Sequence, residues 1–212
     1  MILPDDYIAA MAAAAHEVGA LLVLDCIASG CAWVDMKALG VLISAPQKGW
    51  SASPSAGLVM MSARAEARLA ETRSDSFAID LGKWRSIMKA YEEGGHAYHA
   101  TMPTDALRVF RDTILETKEY GFERLKEAQW RLGDSVRQML MDRGVVSVAA
   151  HGVGAPGVVV SYTDDPDVKS GKAFAAKGMQ IAAGVPLQVG EPEGFSTFRL
   201  GLFGLDKLYD VD

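Results

Sequence analysis

A chain of 212 residues suffices for one large domain or two small ones. Half of it is apolar and 23% is charged, a globular composition, and the net charge of −6 argues against nucleic acid or an anionic membrane surface as the main partner. No apolar run reaches membrane-spanning length, Met1 is not followed by leader-like segments, and Cys26 and Cys31 lack the spacing of a zinc site or disulfide frame. The reading is a cytoplasmic chain with reduced cysteines and no metal centre.

Pro4-Asp5-Asp6 predicts a helix start, because acidic residues favour the positive N-terminal end. Tyr7, Ile8, Met11, Ala12 and Ala15 give that helix one apolar face, and Gly19 ends it. Ala20 to Leu24 reads as a buried strand running into Asp25. Residues 28–40 read as irregular. Val41-Leu42-Ile43 is a second strand, followed by the loop Ser44-Ala45-Pro46-Gln47-Lys48-Gly49-Trp50, and Leu58 to Met61 is a third. A short helix over 63–70, a polar loop over 74–81 and a helix over 84–92 ended by Gly94-Gly95 come next. Thr104 is expected to cap a long helical region that breaks near Tyr120-Gly121. Beyond Gly144 the pattern changes to strands over 145–149, 157–162, 180–185 and 197–200, with one helix over 168–177. Two domains are expected, 1–143 and 144–212.

Lys48 lies between apolar strands with no acid nearby in sequence. Desolvation would disfavour its ammonium and leave the amine that attacks a carbonyl. Spacing alone fits an ordinary loop lysine reaching water better. Asp25 changes that weighting, since the C-terminal ends of parallel strands are where α/β sheets bind ligands. Pyridoxal phosphate uses both groups: a lysine holds it as a Schiff base and a carboxylate keeps its ring nitrogen protonated. The bland reading of Asp25 is a strand-end aspartate capping a turn.

Four stretches in order carry a resemblance: Asp25-Cys26-Ile27-Ala28-Ser29; Ser44 to Gly49 with Pro54 and Gly57; Tyr98-His99-Ala100-Thr101-Met102-Pro103; and Phe198-Arg199-Leu200-Gly201-Leu202. Together they resemble the class V, fold-type I aminotransferases, nearest the alanine–glyoxylate and serine–glyoxylate (serine–pyruvate) group. The resemblance implies an α/β fold: part of a mostly parallel large-domain sheet, then a smaller α+β C-terminal domain. It implies pyridoxal 5'-phosphate as cofactor and small amino and oxo acids as substrates. Lys48 would form the Schiff base and move a proton from the substrate Cα to the cofactor. Asp25 would hold the ring nitrogen, Ile27 a ring face and Gln47 the phosphate. Tyr98 and Thr101 would reach the phosphate of a neighbouring subunit's cofactor, which implies a homodimer with shared sites. Arg199 would grip the substrate α-carboxylate with its planar fork.

Some residues stay open. Ile27 reads almost equally as plain core, and Ser29 is a loose candidate near the ring's phenolic oxygen. His99 reads as structural, and His16 and His96 lack ligand spacing. His151 opens a glycine-rich run with no Lys-Ser/Thr after it, so it is an exposed turn rather than a phosphate loop. Lyases of the same fold, cysteine desulfurases among them, carry histidine where Gln47 stands, and their mobile nucleophilic cysteine has no counterpart in Cys26 or Cys31. Chains of this family are nearly twice as long. The chain is therefore expected to be an internal fragment or truncated product, without the N-terminal arm, the phosphate-binding helix N-terminus, the stacked aromatic or the last helix. The alternatives are an inactive cofactor-binding or dimerisation fragment, or a lyase of the same fold.

Overall fold

In the computed structural model, which describes residues 2–211, helix α1 (Asp5–Glu17) starts behind Pro4 with Asp5 and Asp6 in its first turn. Its dipole favours those carboxylates there. The helix ends at Gly19, φ 72°, and Ala20 still donates to the Ala15 carbonyl at 2.8 Å. That closing turn takes up the residues expected to open the first strand. Strand β1 is consequently Val23–Asp25, later than expected, and Asp25 is inside it.

β1 runs parallel to β2 (Val41–Ser44), with Asp25 opposite Ile43. β2 runs antiparallel to β3 (Leu58–Met61), with Ser44 opposite Leu58. Between β1 and β2 a 3₁₀ turn, Met36–Ala38, forms where the Asp35 carboxylate accepts the Lys37 N–H at 2.9 Å. Ile8, Leu39 and Leu42 make the core behind this sheet, with Leu22, Leu24, Val34 and Met36 packed on it. Full burial, as at Ile8, Leu39 and Leu42, contributes roughly 1.5–3 kcal/mol per side chain, and the partly buried neighbours contribute less.

Helix α2 (Ala63–Ala70) is capped by the Ser62 hydroxyl. α3 (Leu81–Glu92) starts earlier than its apolar face suggests, because the Asp80 carboxylate accepts the Lys83 N–H at 3.0 Å. α4 (Thr104–Tyr120) and α5 (Phe122–Met141) meet at Gly121, φ 103°, the expected break. Thr104 is the first helical residue rather than the cap; Pro103 holds the cap position with no side-chain bond. Proline is suited to such ends, having no N–H to leave unpaired.

The second sheet has the order β4-β6-β5, all antiparallel: β4 (Val158–Tyr162), β5 (Ala182–Ala183) and β6 (Thr197–Gly201). Expectation fails in three places. The strand over 145–149 is a single bridge, Ser147 to Ser161, since the Ala149 N–H turns back to the Ser147 hydroxyl. The helix over 168–177 is two short turns, α6 (Pro166–Lys169) and α7 (Lys172–Ala175), parted by Gly171 at φ 80°. The strand over 180–185 shortens to β5, with Pro186 ahead unable to donate to a ladder. A final turn, α8 (Leu205–Leu208), forms where none was expected; Leu205 and Leu208 pack with Cys31, Leu125 and Ala128. Among the described residues no helix is long and apolar enough to cross a membrane.

Candidate active site

Because β1 and β2 are parallel, their C-terminal ends open on one edge of the sheet. That edge carries Asp25 at the end of β1 and Lys48 in the loop leaving β2. Asp25 Oδ1 accepts the Ile27 N–H at 2.9 Å. The turn-capping role is thus present, and it orients the carboxylate, whose other oxygen Oδ2 stays clear of that bond. Ser44, Ala45 and Pro46 are buried, and the chain then turns outward, so Gln47 and Lys48 are exposed. The flanking strands do not desolvate Lys48 as its sequence context suggested, because the loop carries it past them. Ile27 is half-buried.

The Lys48 loop is nonetheless tightly fixed. The Lys48 carbonyl accepts the Ser51 N–H and the Pro46 carbonyl accepts the Ala52 N–H, both at 3.0 Å. A Cβ at Gly49 would stand 2.5 Å from the Gly30 carbonyl carbon, so the loops after β2 and β1 touch backbone to backbone. The Cys31 thiol donates to the Gly49 carbonyl at 3.7 Å. Trp50 donates to the Ser44 hydroxyl at 3.3 Å and packs on Trp33, ring centroids 5.0 Å apart, with Phe110 and Phe122 edge-on to it. Trp33 in turn donates to the Phe122 carbonyl at the start of α5. Ser51 takes a left-handed φ of 58°, and its hydroxyl accepts the Leu205 N–H, capping α8. Burial pushes the Cys31 thiol up to about 11 and raises Cys26 as well. Both are held as thiols, poor nucleophiles.

The other candidates lie apart. Tyr98 and Thr101 pair through their hydroxyls at 3.1 Å on the loop ahead of α4, with Tyr98 exposed. His99 Nε2 bonds the Phe77 carbonyl at 2.9 Å, and its ring packs on Phe77 and Trp84, a supporting role. Arg199 is in β6 of the second sheet; its Nε donates to the Ala183 carbonyl at 2.8 Å, which orients the guanidinium and leaves the Nη1/Nη2 edge for an anion. Among the described residues, neither the Tyr98–Thr101 pair nor Arg199 bonds to Asp25 or Lys48. Ser29 donates its N–H to the Cys26 carbonyl and shares a side-chain bond with the Cys26 thiol, so it serves its own turn.

Sequence reasoning missed Gly30, Trp33, Ser51 and Gln129. Their signal is weak: a tryptophan on each side of a small-residue loop, and a glutamine on the apolar side of α5. Gly154 accounts for the glycine-rich run instead, since a Cβ there would meet the Arg137 guanidinium at 2.4 Å, and Arg137 donates to the Ala155 carbonyl at 2.8 Å.

No family model matches the chain. The alanine–glyoxylate aminotransferase of Felis catus is 28% identical over 133 residues, covering 60% of this chain and 31% of the cat protein. Among solved structures, alanine–glyoxylate aminotransferase from Nostoc sp. matches with a TM-score of 0.77 at 18% identity, over 93% of this chain and 52% of that one. Aspartate aminotransferase from Thermus thermophilus matches at 0.78 and 23% identity, over 99% and 57%. Pyridoxamine-pyruvate aminotransferase from Mesorhizobium loti matches at 0.73 and 18%, over 95% and 50%. The chain therefore has the α/β fold of fold-type I aminotransferases over nearly all its length, is similar to alanine–glyoxylate aminotransferases, and spans about half the length of the solved structures it matches.

Proposed function

We propose that this chain is the lysine-bearing part of a pyridoxal-phosphate aminotransferase that moves an amino group from a small amino acid, alanine or serine, to an oxo acid such as glyoxylate or pyruvate. The observation that carries it is the parallel β1–β2 pair, which opens Asp25 and Lys48 on one sheet edge. Fold alone does not choose the chemistry. The donor set fits the cofactor: an exposed primary amine, a carboxylate with one oxygen fixed on a backbone N–H, and a rigid loop between. Bound there, pyridoxal phosphate would supply an aldehyde that carries the amino group and a ring that takes up electron density.

Each residue has a defined part. Lys48 holds the cofactor and afterwards moves the proton at the substrate Cα. Asp25 keeps the ring nitrogen protonated by a charge-assisted hydrogen bond. Ile27 would pack on a ring face and Gln47 would reach the phosphate. Arg199 takes the α-carboxylate on its free edge. Gln47 before the lysine and two protonated thiols favour transamination over a desulfurase-like lyase.

Tyr98 and Thr101 serve the site of a second copy, giving a homodimer. Phe77, Ile79, Met88 and Tyr91 are exposed on the segment leading to them, as an interface would require. The domain boundary belongs near Gly144, between the two sheets, and the setting is cytoplasmic. The competing reading, an inactive fragment, is favoured by one observation: β1 and β3 each pair on one side only among the described residues.

The test is borohydride reduction after cofactor addition, followed by peptide mapping and an assay of amino transfer from alanine or serine to glyoxylate. Label on Lys48 with transfer supports the proposal. Label on Lys48 without transfer supports the fragment. A stable adduct on another lysine overturns the site.

A further inference from the structure

Gln129 is fully buried in the middle of α5. Its Nε2 donates both protons, to the Pro156 carbonyl at 3.1 Å and the Leu202 carbonyl at 3.2 Å. Its Oε1 is buried and has no hydrogen-bond partner. Buried polar groups are normally paired, so an orphaned acceptor calls for a reason. That oxygen faces Gly30: a Cβ on Gly30 would stand 2.8 Å from Oε1 and 3.1 Å from the Phe203 ring. A Cβ on Gly157 would meet the same ring at 2.3 Å, and one on Gly133 would meet the Pro156 carbonyl oxygen at 2.5 Å.

These contacts form one junction. On one side, the chain leaves Arg199 along β6, which ends at Gly201, and continues through Leu202 to Phe203. On the other, Gly30 touches Gly49, the residue after Lys48. Both amide protons of Gln129 are committed to carbonyls, so its plane is fixed and its oxygen is set against Gly30. An apolar side chain of the same volume would fill the space but orphan two carbonyls. Ser55 Oγ and Arg137 Nε are also buried without a partner, but it is Gln129 Oε1 that faces Gly30 and so the loop that touches Gly49, and an unsatisfied group is the kind of local conflict that functional sites tolerate.

We infer that Gln129 is a positioning residue: with Phe203 and Gly157 it sets how far the Arg199 strand stands from the Lys48 loop. This rests on the proposed transaminase reading, in which a substrate must reach both residues at once. A misplacement of about 1 Å between reacting groups costs on the order of 10²-fold.

The experiment compares the full chain with Gln129→Met, using kinetics, Lys48 labelling and amide hydrogen exchange. The expected result is a 10- to 100-fold loss in kcat/KM, carried by KM for both amino and oxo acids, with borohydride labelling of Lys48 unchanged. Amide exchange should quicken together in peptides covering 28–32, 46–52 and 200–204, while 81–92 keeps the parent rate. Faster exchange confined to 200–204, or spread evenly over the chain, would overturn the inference, as would unchanged KM in a chain that turns over. If Gln129→Met does not fold, Phe203→Leu probes the same junction with the same readouts and decides. A parent chain that transfers no amino groups, whether or not Lys48 labels, bears on the proposed function alone; the exchange pattern still decides the junction.

Discussion

Asp25 holds one carboxylate oxygen on the Ile27 amide. Asn at this position keeps that acceptor and loses only the charge, so Asp25→Asn separates the turn from the chemistry. A charge-assisted bond is worth roughly 1.5–3 kcal/mol, and turnover should fall by about 10- to 100-fold while Lys48 still accepts cofactor. Steady-state rates beside borohydride labelling check this; unchanged turnover removes Asp25 from the ring nitrogen. Arg199→Lys keeps the charge but loses the planar fork and the Nε bond to Ala183. KM should rise about tenfold for both amino and oxo acids, with kcat less affected. The Cys31 thiol, raised by burial from 9.0 to about 11, yields a stability prediction. The folded state keeps that proton after the unfolded chain has lost it. Its contribution is whole below pH 9 and disappears as pH rises toward about 11. Urea midpoints should drop over that window, and drop less in Cys31→Ala. At this scale the places of Asp25 at the end of β1 and Lys48 after β2 were readable in the sequence, because each follows an apolar run. Lys48's exposure agrees with the ordinary loop lysine that spacing alone favoured; what was hidden is the buried Ala45-Pro46 step from which the loop turns outward.

Among the elements, helices α1 to α5 were readable from apolar spacing and from Gly19 and Gly121, since helical bonds are local. In the small sheet β4 and β6 were readable, close to the expected 157–162 and 197–200, while the strands over 145–149 and 180–185 were not, because strand length is set by partners distant in sequence. Val145 to Ala149 has strand residues, yet it pairs with β4 only across one bridge, Ser147 to Ser161, with backbone bonds at Val146 and Val148 on either side. The contact between the loops after β1 and β2 was also hidden, being a meeting of two glycines far apart in the chain. It makes a sharp comparison. Gly49→Ala would place a methyl 2.5 Å from Gly30 backbone and should cost about 1–3 kcal/mol. Gly57→Ala, in the same connection between β2 and β3, meets nothing within 4 Å and should stay within about 0.5 kcal/mol of the parent. Chemical denaturation of the two variants checks both; equal midpoints would mean the loops are not packed as described.

At the scale of the whole molecule, the three-stranded first sheet decides what the chain does alone. β1 and β3 each bond only to β2 among the described residues, and Val23 of β1 is 54% exposed. Unpaired edges beside apolar surface recruit other chains. Phe77, Ile79 and Tyr98, each more than 60% exposed, add a second apolar region around the Tyr98–Thr101 pair. The chain carries the amine of Lys48, the carboxylate of Asp25 and the guanidinium of Arg199, while the structures sharing its fold are about twice as long. Residues 1–212 expressed alone should therefore self-associate or require a second polypeptide, and should label at Lys48 more readily than they transfer amino groups. Sedimentation, the absorption of bound cofactor and amino transfer from serine or alanine to glyoxylate, measured on one preparation, test this. Association lost in Phe77→Asp or Ile79→Asp would place the second copy on the Tyr98 side; association that survives both would place it on the β1 edge. A monomer that turns over at enzyme-like rates would show that the open sheet needs nothing added.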